Sequence, residues 1–164
     1  MKIPPNRHQG MIDLGPWIGA ESVKVAGNGG GRYAVRYEEL VITKRPLVSV
    51  VDDDESVRES LPDLLKEFGL SVQTFSSGEE FLASQYVSET ACLILDVAMP
   101  GMSGPALQQE LLQRQKKIPI VFITAQECEA IRPQLLERGA TECLSKPFSD
   151  TALREAINAA LGTK

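Results

Sequence analysis

Leu47-Val48-Ser49-Val50-Val51-Asp52-Asp53-Asp54 opens the regular part of this chain: a short β-branched run breaks off into consecutive carboxylates. Apolar runs of the same kind recur at 71–75, 92–96, 118–124 and 141–145. Stretches of helical period follow each of them, at 56–68, 78–84, 105–115, 128–138 and 150–161. Val57, Leu61, Leu64, Leu65 and Phe68 share one helical stripe, and Leu153, Ile157, Ala160 and Leu161 share another. Parallel strands need long crossovers, which helices supply, so this alternation predicts a parallel sheet with helices on both faces. Ile120-Val121-Phe122-Ile123 is apolar throughout, as burial from both sides requires. The fold class is therefore α/β, a doubly wound five-stranded parallel sheet with five helices. Pro62 and Pro133 each remove a backbone donor inside a predicted helix, so a kink or a later start is expected at both.

Doubly wound sheets bind ligands beyond the carboxyl ends of their strands. Those ends carry Asp52, Asp53 and Asp54, then Asp96, then Thr124, with Lys146 just past the fifth run. Asp54, followed by Glu55, suits a helix N-cap. Asp52, Asp53 and Asp96 raise a different problem, because two carboxylates ~4 Å apart repel by ~4 kcal/mol at an effective dielectric of about 20. Lys146 alone does not neutralise the cluster, so a further cation is expected. Carboxylates, backbone carbonyls and water are the hard oxygen ligands that Mg2+ prefers, and Mg2+ commonly brings in a phosphate oxygen. In that setting Asp96 suits a nucleophile, with the Thr124 hydroxyl and the Lys146 ammonium binding the other oxygens of a transferring phosphoryl group.

Composition narrows the partners. The 164 residues hold 22 acidic and 17 basic groups, a net charge of -5, so neither nucleic acid nor an anionic membrane surface is an expected partner. No apolar run reaches the ~20 residues that span a bilayer, and Asn6-Arg7-His8-Gln9 interrupts the start where a signal peptide is apolar. A cytoplasmic location is expected. Cys92, Cys128 and Cys143 form an odd set without a CxxC pair, which indicates neither a disulfide framework nor a zinc cage; each is read as a small buried residue. His8 is the single histidine and sits in a Pro/Gly-rich leader, which argues against histidine chemistry in the folded part.

Residues 1–45 carry net +3 and residues 46–164 net -8, and seven of the thirteen glycines fall in the first part, so the chain divides near Pro46. The first part has no core pattern of its own. Residues 22–26 and 32–42 suit a hairpin across the Gly27 cluster; the alternative is a start of translation near Val41, with the upstream stretch a misassigned gene start or a disordered leader. The expected organisation is an N-terminal extension, 1–45, of unknown function, followed by one domain, 46–164.

Val51-Asp52-Asp53-Asp54, Leu95-Asp96-Val97-Ala98-Met99-Pro100-Gly101-Met102-Ser103-Gly104, Thr124-Ala125 and Lys146-Pro147-Phe148 together resemble the receiver domain of two-component response regulators, nearest to the FixJ type. The steps of 28 residues from Asp96 to Thr124 and 22 from Thr124 to Lys146 agree with that family. The resemblance covers 46–164. It implies the flavodoxin-like strand order 2-1-3-4-5, Asp96 as phosphoacceptor, Asp53 as a direct Mg2+ ligand, Asp52 acting through water, and Ala98 lending its carbonyl. It also implies that Thr124 and Lys146 bind the phosphoryl group and that the Lys146-Pro147 bond is cis. The implied donor is a sensor histidine kinase or a phosphotransfer protein, with acetyl phosphate as a small-molecule substitute. The implied receiver is a phosphoprotein that catalyses only its own phosphorylation and dephosphorylation.

Two departures bear on the output. Cys143 stands where many receivers place a switching aromatic ring, and only Gly162, Thr163 and Lys164 follow the last predicted helix, where FixJ-type regulators continue into a DNA-binding domain. The expectation is a receiver without a DNA-binding output, which on phosphorylation alters binding to an unknown downstream protein. The fourth helix, fifth strand and fifth helix form the face expected to respond, and a homodimer through it is one option. The competing readings are a phosphorylation-independent adaptor and an aspartyl-phosphate phosphohydrolase. The latter needs a second acid two residues after its nucleophile, where Ala98 stands. A nucleotide site fails because the first loop is acidic rather than glycine-rich.

Overall fold

The computed structural model describes residues 44–162. The segments proposed as a hairpin lie outside the described residues. Five strands, β1 (Leu47–Val51), β2 (Ser71–Phe75), β3 (Thr90–Asp96), β4 (Ile120–Thr124) and β5 (Glu142–Ser145), form one sheet in the order β2-β1-β3-β4-β5. Every pairing is parallel. The helices are α1 (Glu55–Glu67), α2 (Gly78–Ala83), α3 (Gly104–Gln113), α4 (Arg132–Glu137) and α5 (Asp150–Leu161). Among the described residues, no helix is long and apolar enough to cross a membrane.

Alternation along the strands sends side chains into two separate cores. Val48, Val50, Cys92, Ile94, Val121 and Ile123 pack with Leu61 and Leu65 of α1 and with Leu153 and Ile157 of α5. Val51, Leu93, Leu95 and Phe122 pack with Phe81 of α2, Leu107 and Leu111 of α3 and Leu135 of α4. β1 and β3 are thus closed on both faces and on both edges, and their carboxyl ends mark the point where the winding reverses. Ser49 is the one polar interruption of β1, and its hydroxyl meets that of Thr90 on β3 at 2.7 Å.

The two prolines resolve differently. At Pro133 the predicted helix divides into a 3₁₀ turn at Cys128–Ala130 and α4, with the proline in the first turn of α4, where its missing N–H costs nothing. At Pro62 the expected later start is absent: α1 runs through it from Asp54, whose carboxylate accepts from the Ser56 N–H. The buried stripe of Leu61 and Leu65 holds α1 against the sheet, and this packing outweighs one lost backbone hydrogen bond.

Candidate functional site

β1 ends on Val51, so Asp52 and Asp53 fall on the loop that leads to the cap of α1. Asp52 is fully buried, and its Oδ1 accepts from the Asp54 N–H at 2.9 Å. Asp53 is exposed. Asp96 is the last residue of β3 and is buried. Carboxylate oxygens of Asp52, Asp53 and Asp96 all lie within 4.8 Å of one another.

Lys146, immediately past β5, reaches across the sheet to this cluster. Its Nζ lies 2.8 Å from Asp52 Oδ2 and 3.5 Å from Asp96 Oδ1. Its own N–H donates to the Thr124 carbonyl at 2.7 Å, and the Lys146-Pro147 peptide is cis. Thr124 closes β4 and is buried; its hydroxyl accepts from the Gln126 N–H at 3.1 Å rather than touching the acids. Ala98 is exposed on the loop two residues beyond β3.

The electrostatics follow from this crowding. Burial, then the Asp52 charge, push the Asp96 carboxyl from an ordinary 3.8 up to about 6, against the pull of Lys146. Burial works against the Lys146 ammonium, yet its hydrogen bond to Asp52 and the charges of Asp52 and Asp96 outweigh that and hold it above its ordinary value. One ammonium thus faces three carboxylates. Closely spaced carboxylate oxygens with one open, exposed member are the donor set that Mg2+ takes, so these residues fit that ion.

Some supports of the site carry no sequence signal of their own. Arg58, one turn into α1, donates from Nη1 to the Asp52 carbonyl at 2.8 Å. Glu79 on α2 accepts from the Met102 N–H at 3.1 Å, fastening the loop after β3. Gly104, at the start of α3, lies so close that a Cβ there would collide with the Asp96 carbonyl oxygen and press on the Phe122 ring. Its N–H donates to the Val97 carbonyl at 3.0 Å. Gly104 stands in the motif quoted above, but the contacts of Arg58 and Glu79 depend on tertiary approach, so neither spacing nor composition announces them.

The family model for the response regulator receiver domain matches residues 48–158. The chain belongs to the response regulator receiver family. Transcriptional regulatory protein TdiR of Thauera aromatica is 42% identical over 114 residues, 70% of this chain and 50% of that protein. Transcriptional regulatory protein FixJ of Azorhizobium caulinodans is 37% identical over 115 residues, 70% of this chain and 54% of that protein. The chain spans about half the length of these relatives. Among solved structures, the response regulator StyR superposes with a TM-score of 0.67 at 44% identity, covering 73% of this chain and 60% of that one. The FixJ-N crystal structure does so at 0.65 and 34% identity, covering 73% and 95%. The two-component receiver and its FixJ-type kinship, expected from four short motifs, are thus established, as is the strand order. Receivers take phosphoryl groups from histidine kinases, and an acidic triad such as Asp52, Asp53 and Asp96 is typical of their Mg2+ site.

Proposed function

We propose that Asp96 of this receiver accepts a phosphoryl group from a phosphohistidine of a sensor kinase or phosphotransfer protein. A carboxylate oxygen of Asp96 forms a bond to phosphorus, the phosphorus–nitrogen bond breaks, and the imidazole leaves with its electron pair. Asp53, Asp96 and the Ala98 carbonyl would hold Mg2+, with Asp52 acting through water, and the ion would supply positive charge against the phosphoryl oxygens. Lys146 stands ready to turn its ammonium from Asp52 toward the new anion. The Thr124 hydroxyl, which accepts from the Gln126 N–H, donates its own proton to a phosphoryl oxygen and draws the following loop inward. Residues 46–164 form the receiver in this reading and 1–45 an extension. The phosphorylated form changes its binding to a downstream protein, or to a second copy, through α4, β5 and α5. A cytoplasmic setting, where kinases present phosphohistidine, goes with it.

The observation that carries this reading is the position of Asp96, a buried strand-end carboxylate within 4.8 Å of two other acids and 3.5 Å from an ammonium. Intact-mass analysis after incubation with Mg2+ and acetyl phosphate tests it, with a panel of sensor kinases as alternative donors. The wild type is expected to gain one phosphoryl group and Asp96→Asn none. Equal uptake by both proteins, or none by the wild type from any donor, overturns the assignment.

A further inference from the structure

Cys128 and Cys143 lie fifteen residues apart in sequence, yet their Sγ atoms are 2.7 Å apart, with both residues buried. Cys143 sits on the edge strand β5, opposite Phe122 of β4. Cys128 begins the 3₁₀ turn that follows β4, and its N–H donates to the Ser145 hydroxyl of the same edge strand at 3.1 Å. The separation is about 0.7 Å longer than a disulfide bond.

We propose that Cys128 and Cys143 form an oxidation site, a thiol pair that hydrogen peroxide converts to an internal disulfide tethering the 3₁₀ turn to β5. The Cys128 sulfur attacks one peroxide oxygen; a sulfur–oxygen bond forms, the oxygen–oxygen bond breaks, and water leaves. The Cys143 sulfur then attacks the resulting sulfenic acid; the sulfur–sulfur bond forms, the sulfur–oxygen bond breaks, and a second water carries off the Cys143 proton. Two thiols lose two electrons, and the peroxide is reduced to two waters.

Access favours Cys128 as the first sulfur. Residues 125, 126, 127, 129 and 130 are all exposed, so Cys128 is the single buried residue of a surface stretch. The 3₁₀ turn and α4 both begin without a side-chain cap, which makes local opening there easier than at the capped helices. Burial, then the bond to Cys128, push the Cys143 thiol up to about 12, so it keeps its proton until the sulfenic acid is beside it. Cys92 packs in the core on the other side of the sheet, among α1 and α5, and serves as an internal control. This site is independent of the Asp96 chemistry, and its failure leaves that reading untouched.

The test treats the full, reduced chain with hydrogen peroxide, alkylates the remaining thiols under denaturing conditions, and maps the peptides without reduction. Free thiols are expected to fall from three to one per chain. The mass should drop by two hydrogen atoms, with Cys128 and Cys143 in one linked pair of peptides and Cys92 alkylated. Cys92→Ala should lose its two remaining thiols in the same way, and Cys128→Ser should form no internal link. Should a variant fail to fold, the wild-type map decides alone. Hydrogen exchange of 125–131 should slow in the oxidised protein. Retention of all three thiols, a bridge that uses Cys92, links only between chains, or unchanged exchange in the oxidised form overturns the proposal.

Discussion

Asp52 follows, and Asp96 ends, a strand that is paired on both sides, whereas Cys143 and Ser145 belong to a four-residue strand at the edge of the same sheet. The helices repeat this contrast. Asp54, Ser77, Ser103 and Ser149 each cap their helix with a side-chain oxygen, but α4, only six residues long, starts at Ile131 without one. The acid cluster is therefore set in the stiffest part of the fold, and the segment expected to respond to it in the loosest. In the proposed function this puts the fixed groups where charge is captured and the less fastened segment where shape changes.

The largest expected effect probes the strain of the stiff rim. Because Asp96 holds its proton up to about 6 when folded but only to about 3.8 otherwise, the folded chain binds the extra proton between these values. Stability in Mg2+-free buffer should therefore fall as pH rises through that window and stay low above it. Asp96→Asn carries no charge and should be more stable than wild type above pH 6 by up to about 3 kcal/mol, the difference vanishing below pH 4. Urea melts at several pH values measure this, and equal stability of the two proteins at pH 8 would refute it. Gly104→Ala comes next: its Cβ must push on Asp96 and Phe122, at a cost of about 2 kcal/mol, and phosphorylation should slow with it. Removing a cap from the stiff side, Ser103→Ala, should cost about 1 kcal/mol, through the hydrogen bond that Ser103 accepts from the Ala106 N–H. On the loose side, Arg132→Ala breaks the ion pair between α4 and Glu142 of β5, 2.8 Å long but half exposed. It should cost about 0.5 kcal/mol or less. A loss there equal to that at Gly104 would erase the contrast.

Most of the acid cluster was legible in the sequence. Short β-branched, uniformly apolar runs such as Ile120-Val121-Phe122-Ile123 suit buried strands, and reading the residues at the end of each run assembled Asp52, Asp53, Asp96, Thr124 and Lys146. The role of Asp54 followed from local chemistry, since an N-cap is decided by its own neighbours. Pro62 misled because a proline penalty is local while the stripe that overrides it is tertiary. The sulfur pair was invisible for the opposite reason: a spacing of fifteen residues matches no motif, and only the turn after β4 folding back on β5 brings the atoms together.

Lys146 has two attachments at once, its amide to the last carbonyl of β4 and its ammonium to the acids beyond β1 and β3. An anion that lures the ammonium away thus tugs a residue already stitched to a different strand. Under the phosphorylation proposed above, a new charge at the acids therefore reaches the end of β4 through one side chain, with no element unfolding.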